Sequence, residues 1–446
     1  MSDRDSVQLA TLLRMMRDHG VRQLFAKKLA PNDNSKNQPY FGGDFSVLNI
    51  LPTREPTAAL TGTHGKPIFK AGLNFAWLSP DGGLHPAPRA QLILYPQYPE
   101  VRFSGYLQGC SEPPSDIVGA NRSPGRVLFL GVRDDGQILG YAASAESAAA
   151  RQLDALGPLE PVGVFGRVPL PGLATGDAAR KALLGQLARI AGLGWINSKR
   201  LTADGQISNC NSSNCGGLTL EAELGIKPNG YSEPDLLGWE IKQHNVRDFT
   251  SYKGGPITLM TPEPTSGFYK TAGVKAFIER YGYQDKTGRP DRMNFGGIHV
   301  ANTRCRSTGL TLRLLGYDPD QKKIVDPSGG LSLLDQYDYE AATWPYTGLI
   351  AHWNRKHAKA VYVPSMKRET PSRQYRFGGE VDLGTGTDFQ RFLAAVHEGD
   401  VYYDPGIKLE SRSAVPKVKR RSQFRIKSSQ LRRLYEVFER RPTVDA

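Results

Sequence analysis

The sequence predicts two domains of different class, a mainly-β one over residues 1–160 and an α/β one over 178–446. Three observations predict this. A chain of 446 residues is too long for one ordinary domain at roughly 100–200 residues each. Its 48 glycines and 31 prolines imply frequent turns and argue against a helical bundle. Between the halves, residues 157–176 hold four prolines and five glycines, which reads as a connection, bounded as 161–177. Hydrophobic residues at 39% and charged ones at 23% supply real cores and exclude a wholly disordered chain.

The elements follow in order. Residues 6–20 read as an amphipathic helix with Leu9, Leu12, Leu13 and Met16 on one face and Gly20 as its stop. Short strands follow to about residue 142. The clearest pair is 126–144, two apolar runs around Asp134-Asp135-Gly136, a hairpin signal. An alanine-rich helix is expected over 146–156. Residues 177–192 resume as a helix with Leu183, Leu187, Ile190 and Ala191 on one face. Beyond it helices and strands mix.

The formal net charge is +13 and the pI about 9.4, which favours a polyanionic partner. The charge is concentrated: residues 405–441 hold twelve Lys/Arg and three acids. Phe424, Ile426, Leu431, Leu434, Val437 and Phe438 interleave with these cations at strand and then helix spacing. The segment therefore reads as folded, with its basic groups on a surface. No apolar stretch approaches the ~18 residues of a membrane span. The charged start MSDRDSVQLA lacks a signal-peptide core. Four cysteines, Cys110, Cys210, Cys215 and Cys305, are too few to staple the chain and fit a reducing cytoplasm.

The most informative stretch is 216–245. A short helix over 219–224 carries Glu221, and Lys227-Pro228-Asn229-Gly230 breaks it. Pro234-Asp235 then feeds a strand, Gly238-Trp239-Glu240-Ile241-Lys242. Strand alternation puts Glu240, Lys242 and His244 on one face and turns Trp239 and Ile241 into a core. Two carboxylates and an ammonium thus converge at one strand end. Paired carboxylates suit Mg²⁺, which would polarise a phosphoryl oxygen and make bound water more acidic. A neighbouring Lys can stabilise the charge that develops. Pro-Asp, a spacer and Glu-x-Lys is a pattern shared by many nucleases, yet a surface turn with a Glu/Lys ladder has the same letters.

The surroundings carry more. Thr219-Leu220-Glu221, then Pro234-Asp235, then Glu240-Ile241-Lys242-Gln243-His244 resembles the core of the MvaI/BcnI restriction endonucleases, relatives of the repair nickase MutH. Pro256-Ile257-Thr258-Leu259, Phe277-Ile278-Glu279-Arg280-Tyr281-Gly282 and Lys359-Ala360-Val361-Tyr362-Val363 resemble later family elements in the same order. The resemblance covers roughly 190–440. It implies a C-terminal α/β PD-(D/E)xK nuclease fold with Asp235, Glu240 and Lys242 as the catalytic set. Asp235 and Glu240 would be Mg²⁺ ligands, Glu221 an accessory acid and Glu223 a solvated helix residue. Asp404 matches a base-contacting acceptor and Arg425 an arginine donor; arginine commonly reads guanine and an acid accepts from cytosine. Where the family pattern has arginine two residues after the acceptor, this chain has Gly406, with Lys408 as a candidate substitute.

Lys27-Lys28-Leu29-Ala30-Pro31-Asn32-Asp33 and Glu100-Val101-Arg102 resemble the two arms of the EcoRII effector domain, a DNA-binding pseudobarrel. That resemblance offers Lys27, Lys28, Asn32, Glu100 and Arg102 as DNA contacts, although a polar loop after a helix reads the same way. Together the resemblances imply a cytoplasmic, monomeric Type IIE enzyme with catalytic and effector sites for double-stranded DNA. It would recognise CCWGG, leave a 5′-phosphate, and work beside a host DNA methyltransferase. The rival expectations are a MutH-type nickase, which would need partner proteins, and a non-cleaving DNA-binding regulator, against which the intact Asp235, Glu240 and Lys242 set argues.

Other signals are weaker. Cys210 and Cys215 lack a second ligand pair for zinc and read as loop cysteines. His352 and His357 lack the Glu of zinc proteases and read as surface or core residues. His244 could touch DNA, support a metal site or make a structural hydrogen bond. No phosphate-binding Walker loop appears.

Overall fold

The computed structural model describes residues 3–31, 38–61, 65–98, 100–119, 123–172, 176–227, 235–252, 254–411 and 416–444, with backbone alone at 3, 61, 176–177 and 355–356. Asn32, Pro234 and Arg412 lie outside the described residues. The chain divides into two units, Met1–Gly176 and Asp177–Ala446.

The first unit opens with helices Asp3–Ser6 and Leu9–Asp18. Leu9, Leu12 and Met16 recur at helical spacing and are buried, each such side chain contributing ~1.5–3 kcal/mol. Gly20, at φ +81, lets the chain leave the helix for the strand Val21–Leu29. That strand pairs antiparallel with Arg126–Arg133, which turns into Ile138–Ala143. The turn is the expected one: Gly136 takes φ +78, and Arg133 and Gln137 close the three-residue loop. Ser147 caps helix Ala148–Ala155 by accepting from the Ala150 amide at 3.2 Å.

These strands belong to a seven-stranded sheet. A five-stranded sheet runs Tyr40–Gly42, Glu100–Ser104, Gln91–Tyr95, Lys66–Gly72, Thr57–Thr61. Rings join the two sheets, with Phe41 against Phe165 at 5.1 Å and Phe75 against Phe103 at 5.2 Å.

The segment expected to be a connection is corrected. Glu160–Val162 and Phe165–Val168 are strands on the edge of the seven-stranded sheet, and Phe165, Val168 and Leu170 are buried. Pro161 misled because proline is tolerated on an outermost strand, where its missing N–H deprives no neighbour.

In the second unit the helix Gly176–Gly192 buries Leu183, Leu187 and Ile190. The central sheet runs Trp195–Asn197, Gln374–Phe377, Lys359–Arg368, Glu380–Thr385, Val437–Pro442, and Glu240–Asn245 pairs parallel to Lys359–Arg368. Its core face packs Ile241, Val361, Val363, Val381 and Leu383 against Leu183, Leu187, Leu220 and Leu224. Further small sheets make this unit richer in strand than an α/β reading anticipates.

Cys210 and Cys215 are not separate loop cysteines but a disulfide, with Cα atoms 5.7 Å apart. Cys215 opens the helix Cys215–Leu224 and folds the loop back onto Cys210. No helix among the described residues is long and apolar enough to cross a membrane.

Candidate active site

Glu240–Asn245 is held in register by Lys359–Arg368, with Glu240 opposite Ala360 and Lys242 opposite Tyr362. Alternation then sorts the side chains. Trp239 and Ile241 enter the core, while Glu240 on the other face is only 2% exposed. On that face Tyr362 and Tyr435 hydrogen-bond each other at 2.8 Å, and burial holds both phenols well above their ordinary range.

A tight turn delivers Asp235 to this strand. Leu236 and Trp239 exchange backbone hydrogen bonds of 3.1 and 2.8 Å, with Leu237 at φ 51 and Gly238 at φ 78. Two positive φ values suit glycine but cost Leu237 about 1–2 kcal/mol. The turn brings Asp235 back over the strand, where its Oδ2 accepts from the Ile241 amide at 2.8 Å. Lys242 Nζ donates to Glu240 Oε1 at 2.6 Å. Glu240 Oε2 is buried and has no hydrogen-bond partner among the described residues. A desolvated carboxylate oxygen without a donor is costly, and a cation would relieve that cost. No group of three or more His, Cys, Asp or Glu that could hold a metal occurs among the described residues. A hard ion such as Mg²⁺ can take one or two protein carboxylates and complete its shell from water, and Glu240 Oε2 is an oxygen donor of that kind.

The Cys215–Leu224 helix seats closely on this strand. Thr219, fully buried, accepts from the Lys199 amide at 3.1 Å and donates to its carbonyl at 3.2 Å. A Cβ on Gly216 would come within 2.6 Å of Gln243 Oε1, so glycine permits the approach. Glu221 is half-buried on this helix. Glu223 is not a solvated residue: its side chain is 11% exposed and pairs with Lys199 at 2.5 Å and Arg189 at 3.7 Å.

His244 is 7% exposed, and burial lowers its pKa to about 4, against a rise from Asp382 and a further lowering from Arg440. It is neutral at pH 7. Of the roles open to it, support within the fold suits this burial best.

Asp404 and Arg425 lie on an antiparallel ribbon. Arg425 Nη1 donates to Asp404 Oδ2 at 2.6 Å and Nη2 to the Pro256 carbonyl at 3.0 Å. Gln423 Nε2 also reaches Asp404, at 3.4 Å. Lys408 is on the same ribbon, directly opposite Lys419.

In the first unit the structure gathers some of the expected residues and separates one. Lys27 and Arg102 both lie over the ring of Tyr40, at 5.9 and 5.4 Å. Arg102 also pairs with Glu100 at 2.8 Å. Burial lowers the Lys27 pKa. Lys28, next along the strand, points the other way and pairs with Asp154 at 2.7 Å. Tyr40 was missed because its place between two cations depends on pairing opposite Arg102, which no local pattern signals.

Residues 184–435 match the model of a restriction endonuclease family, so the chain carries a site-specific DNA endonuclease domain. That family is the MvaI/BcnI restriction endonuclease family; the match spans more than half of the chain, and the chain belongs to it. Among solved structures it is similar to a restriction endonuclease MvaI–cognate DNA substrate complex, at 19% identity and TM-score 0.45, covering 61% of this chain and 100% of that one. It is also similar to MvaI in the absence of DNA, at 18% identity and TM-score 0.32 with the same coverage. No curated protein matches the chain.

Proposed function

We propose that the protein is a Mg²⁺-dependent Type II restriction endonuclease that hydrolyses both strands of a duplex at a specific site, with Asp235, Glu240 and Lys242 as its catalytic set. The observation carrying this reading is the Asp235–Ile241 hydrogen bond, which folds one carboxylate over the strand that presents Glu240 and Lys242. Asp235 and Glu240 would hold the ion, with the partnerless Oε2 of Glu240 as one donor. A bound Mg²⁺ supplies Lewis acidity at the phosphate and a more acidic water. Lys242 stands beside that pair, where its ammonium can orient the attacking water and offset charge on the phosphorane. Glu221 is an accessory acid. His244 supports the strand.

Asp404 and Arg425, with Lys408 near them, would contact DNA on the ribbon, phosphate contacts giving affinity and base edges giving choice. In the first unit, Lys27, Glu100, Arg102 and Tyr40 form the candidate effector surface of a pseudobarrel domain. The finer reading is a monomeric Type IIE enzyme for CCWGG, paired in its host with a DNA methyltransferase. Digesting a plasmid of known sequence with Mg²⁺ and mapping the ends tests it. Discrete double-strand ends with 5′-phosphates are expected. Nicks alone, or no cutting, would sink the double-strand reading.

A further inference from the structure

Residues 401–410 and 417–426 form one ribbon without a break in register. Val401 pairs with Ile426, Tyr402 with Arg425 and Tyr403 with Phe424. Backbone bonds then join Asp404 to Gln423 and Gly406 to Arg421, both at 2.9 Å. The ladder ends with Lys408 opposite Lys419 and Glu410 opposite Lys417. Because residues directly opposite each other share a face, the ribbon is two-sided. Tyr403, Ile407, Leu409 and Phe424 are buried. The other side carries Asp404, Lys408, Lys419, Arg421 and Arg425, with Tyr402 and Gln423 buried on it. Pro256–Met260 pairs with Phe424–Lys427 and Arg292–Gly296 with Gly406–Glu410, so the ribbon widens into a sheet at each end; strands of a sheet can lie in a DNA groove with one polar face towards the bases.

On that face Arg421 is unlike its neighbours. Arg425 is tied to Asp404 and Pro256. Arg421 is exposed, and its guanidinium has no hydrogen-bond or ion-pair partner among the described residues. Its stem lies across Gly406: a Cβ there would stand 3.1 Å from Arg421 Cδ. The absent side chain at 406 is what leaves room for the arginine's stem across the ribbon. One step further along, Lys408 faces Lys419, whose ammonium lies 3.7 Å from the Glu410 carboxylate.

We infer that Arg421, laid across Gly406, is a base-reading residue of the ribbon, donating from two guanidinium N–H groups to a guanine edge beside the base pair read by Asp404 and Arg425. Gly406 is then a positioning residue that leaves Arg421 its path. This rests on the endonuclease reading above. A fork of two parallel donors matches guanine, whereas lysine offers only a point charge.

The test is cleavage of a duplex library with a randomised core by the full chain. Wild type, Arg421→Ala, Arg421→Lys, Gly406→Val and the control Arg420→Ala are compared, with melting curves to confirm folding. Wild type should select one site. Arg421→Ala should relax choice at a single base pair and slow cutting of the preferred site on the order of 10- to 100-fold. Arg421→Lys should not restore that choice. Gly406→Val should reproduce the relaxation, because its side chain displaces Arg421, while melting like wild type. Arg420→Ala should keep the wild-type profile. Equal slowing on every library member in Arg421→Ala would make the residue a phosphate contact and overturn the inference, as would an unchanged profile. A wild-type protein that cuts nothing overturns the endonuclease reading itself, and this one with it.

Discussion

Arg425 and Asp404, diagonal neighbours on the ribbon, are joined by a 2.6 Å charged hydrogen bond, with both side chains 23% exposed. Each fixes the other's orientation at the surface proposed to meet DNA. Arg425→Ala should therefore weaken binding to the cognate duplex by about 1–3 kcal/mol and to random duplex far less. The two residues act as a unit, so the double variant should lose less than the sum of the single losses. Titrating both duplexes against the four proteins checks this. Equal losses on cognate and random DNA would reassign Arg425 to the backbone.

Asp235 and Glu240 should be needed for chemistry and not for docking. Asp235→Ala and Glu240→Ala should abolish cleavage while duplex binding survives, or tightens as repulsion from phosphates falls. Cutting at the wild-type rate by either variant would refute the site.

Lys242 is the partner of the buried Glu240 carboxylate, so its loss removes that charge's counter-ion and melting curves must accompany the kinetics. Lys242→Ala should reduce the single-turnover rate on the order of 10²–10³, the scale of losing one transition-state donor. A variant with normal rate and weaker affinity would show that the lysine is a phosphate contact.

His244 provides a pH signature. Burial depresses its pKa from 6.5 to about 4 in the folded protein, so the unfolded chain takes up its proton first as pH falls. The stability this group contributes is full above pH 6.5 and is lost between about 6.5 and 4. The loss amounts to about 3 kcal/mol over that window. Denaturant melts from pH 7 to 4.5 should fall less steeply in His244→Asn than in wild type. Parallel pH profiles would place the acid sensitivity elsewhere.

The first unit should act through a second DNA site. Plasmids with a single site should be cut slowly, and a short cognate duplex added in trans should speed them. Lys27→Ala and Arg102→Ala, made in the full chain, should lose that stimulation. Equal rates on single-site and two-site plasmids, with no response to added duplex, would leave the domain another task.

Local pattern was enough for what depends on a residue's own neighbours in sequence. The helix face of Leu9, Leu12 and Met16, the hairpin around Gly136, and the alternation that sets Glu240 and Lys242 apart from Trp239 and Ile241 could all be read directly, because helix and strand periods act over a few residues. What only the tertiary structure decided is which strands meet, and in which register. Residues 160–168 looked like a connection until pairing with Val21–Leu29 made them part of a sheet. Lys27 and Lys28 looked equivalent until the sheet sent one to Tyr40 and the other to Asp154. Arg421 looked like one cation among twelve until register laid it across Gly406. Cross-strand partners are chosen by the burial of a whole sheet face, and a one-residue slip would exchange every one of them. That choice is made by the folded chain as a whole and leaves no signal in any short stretch of it.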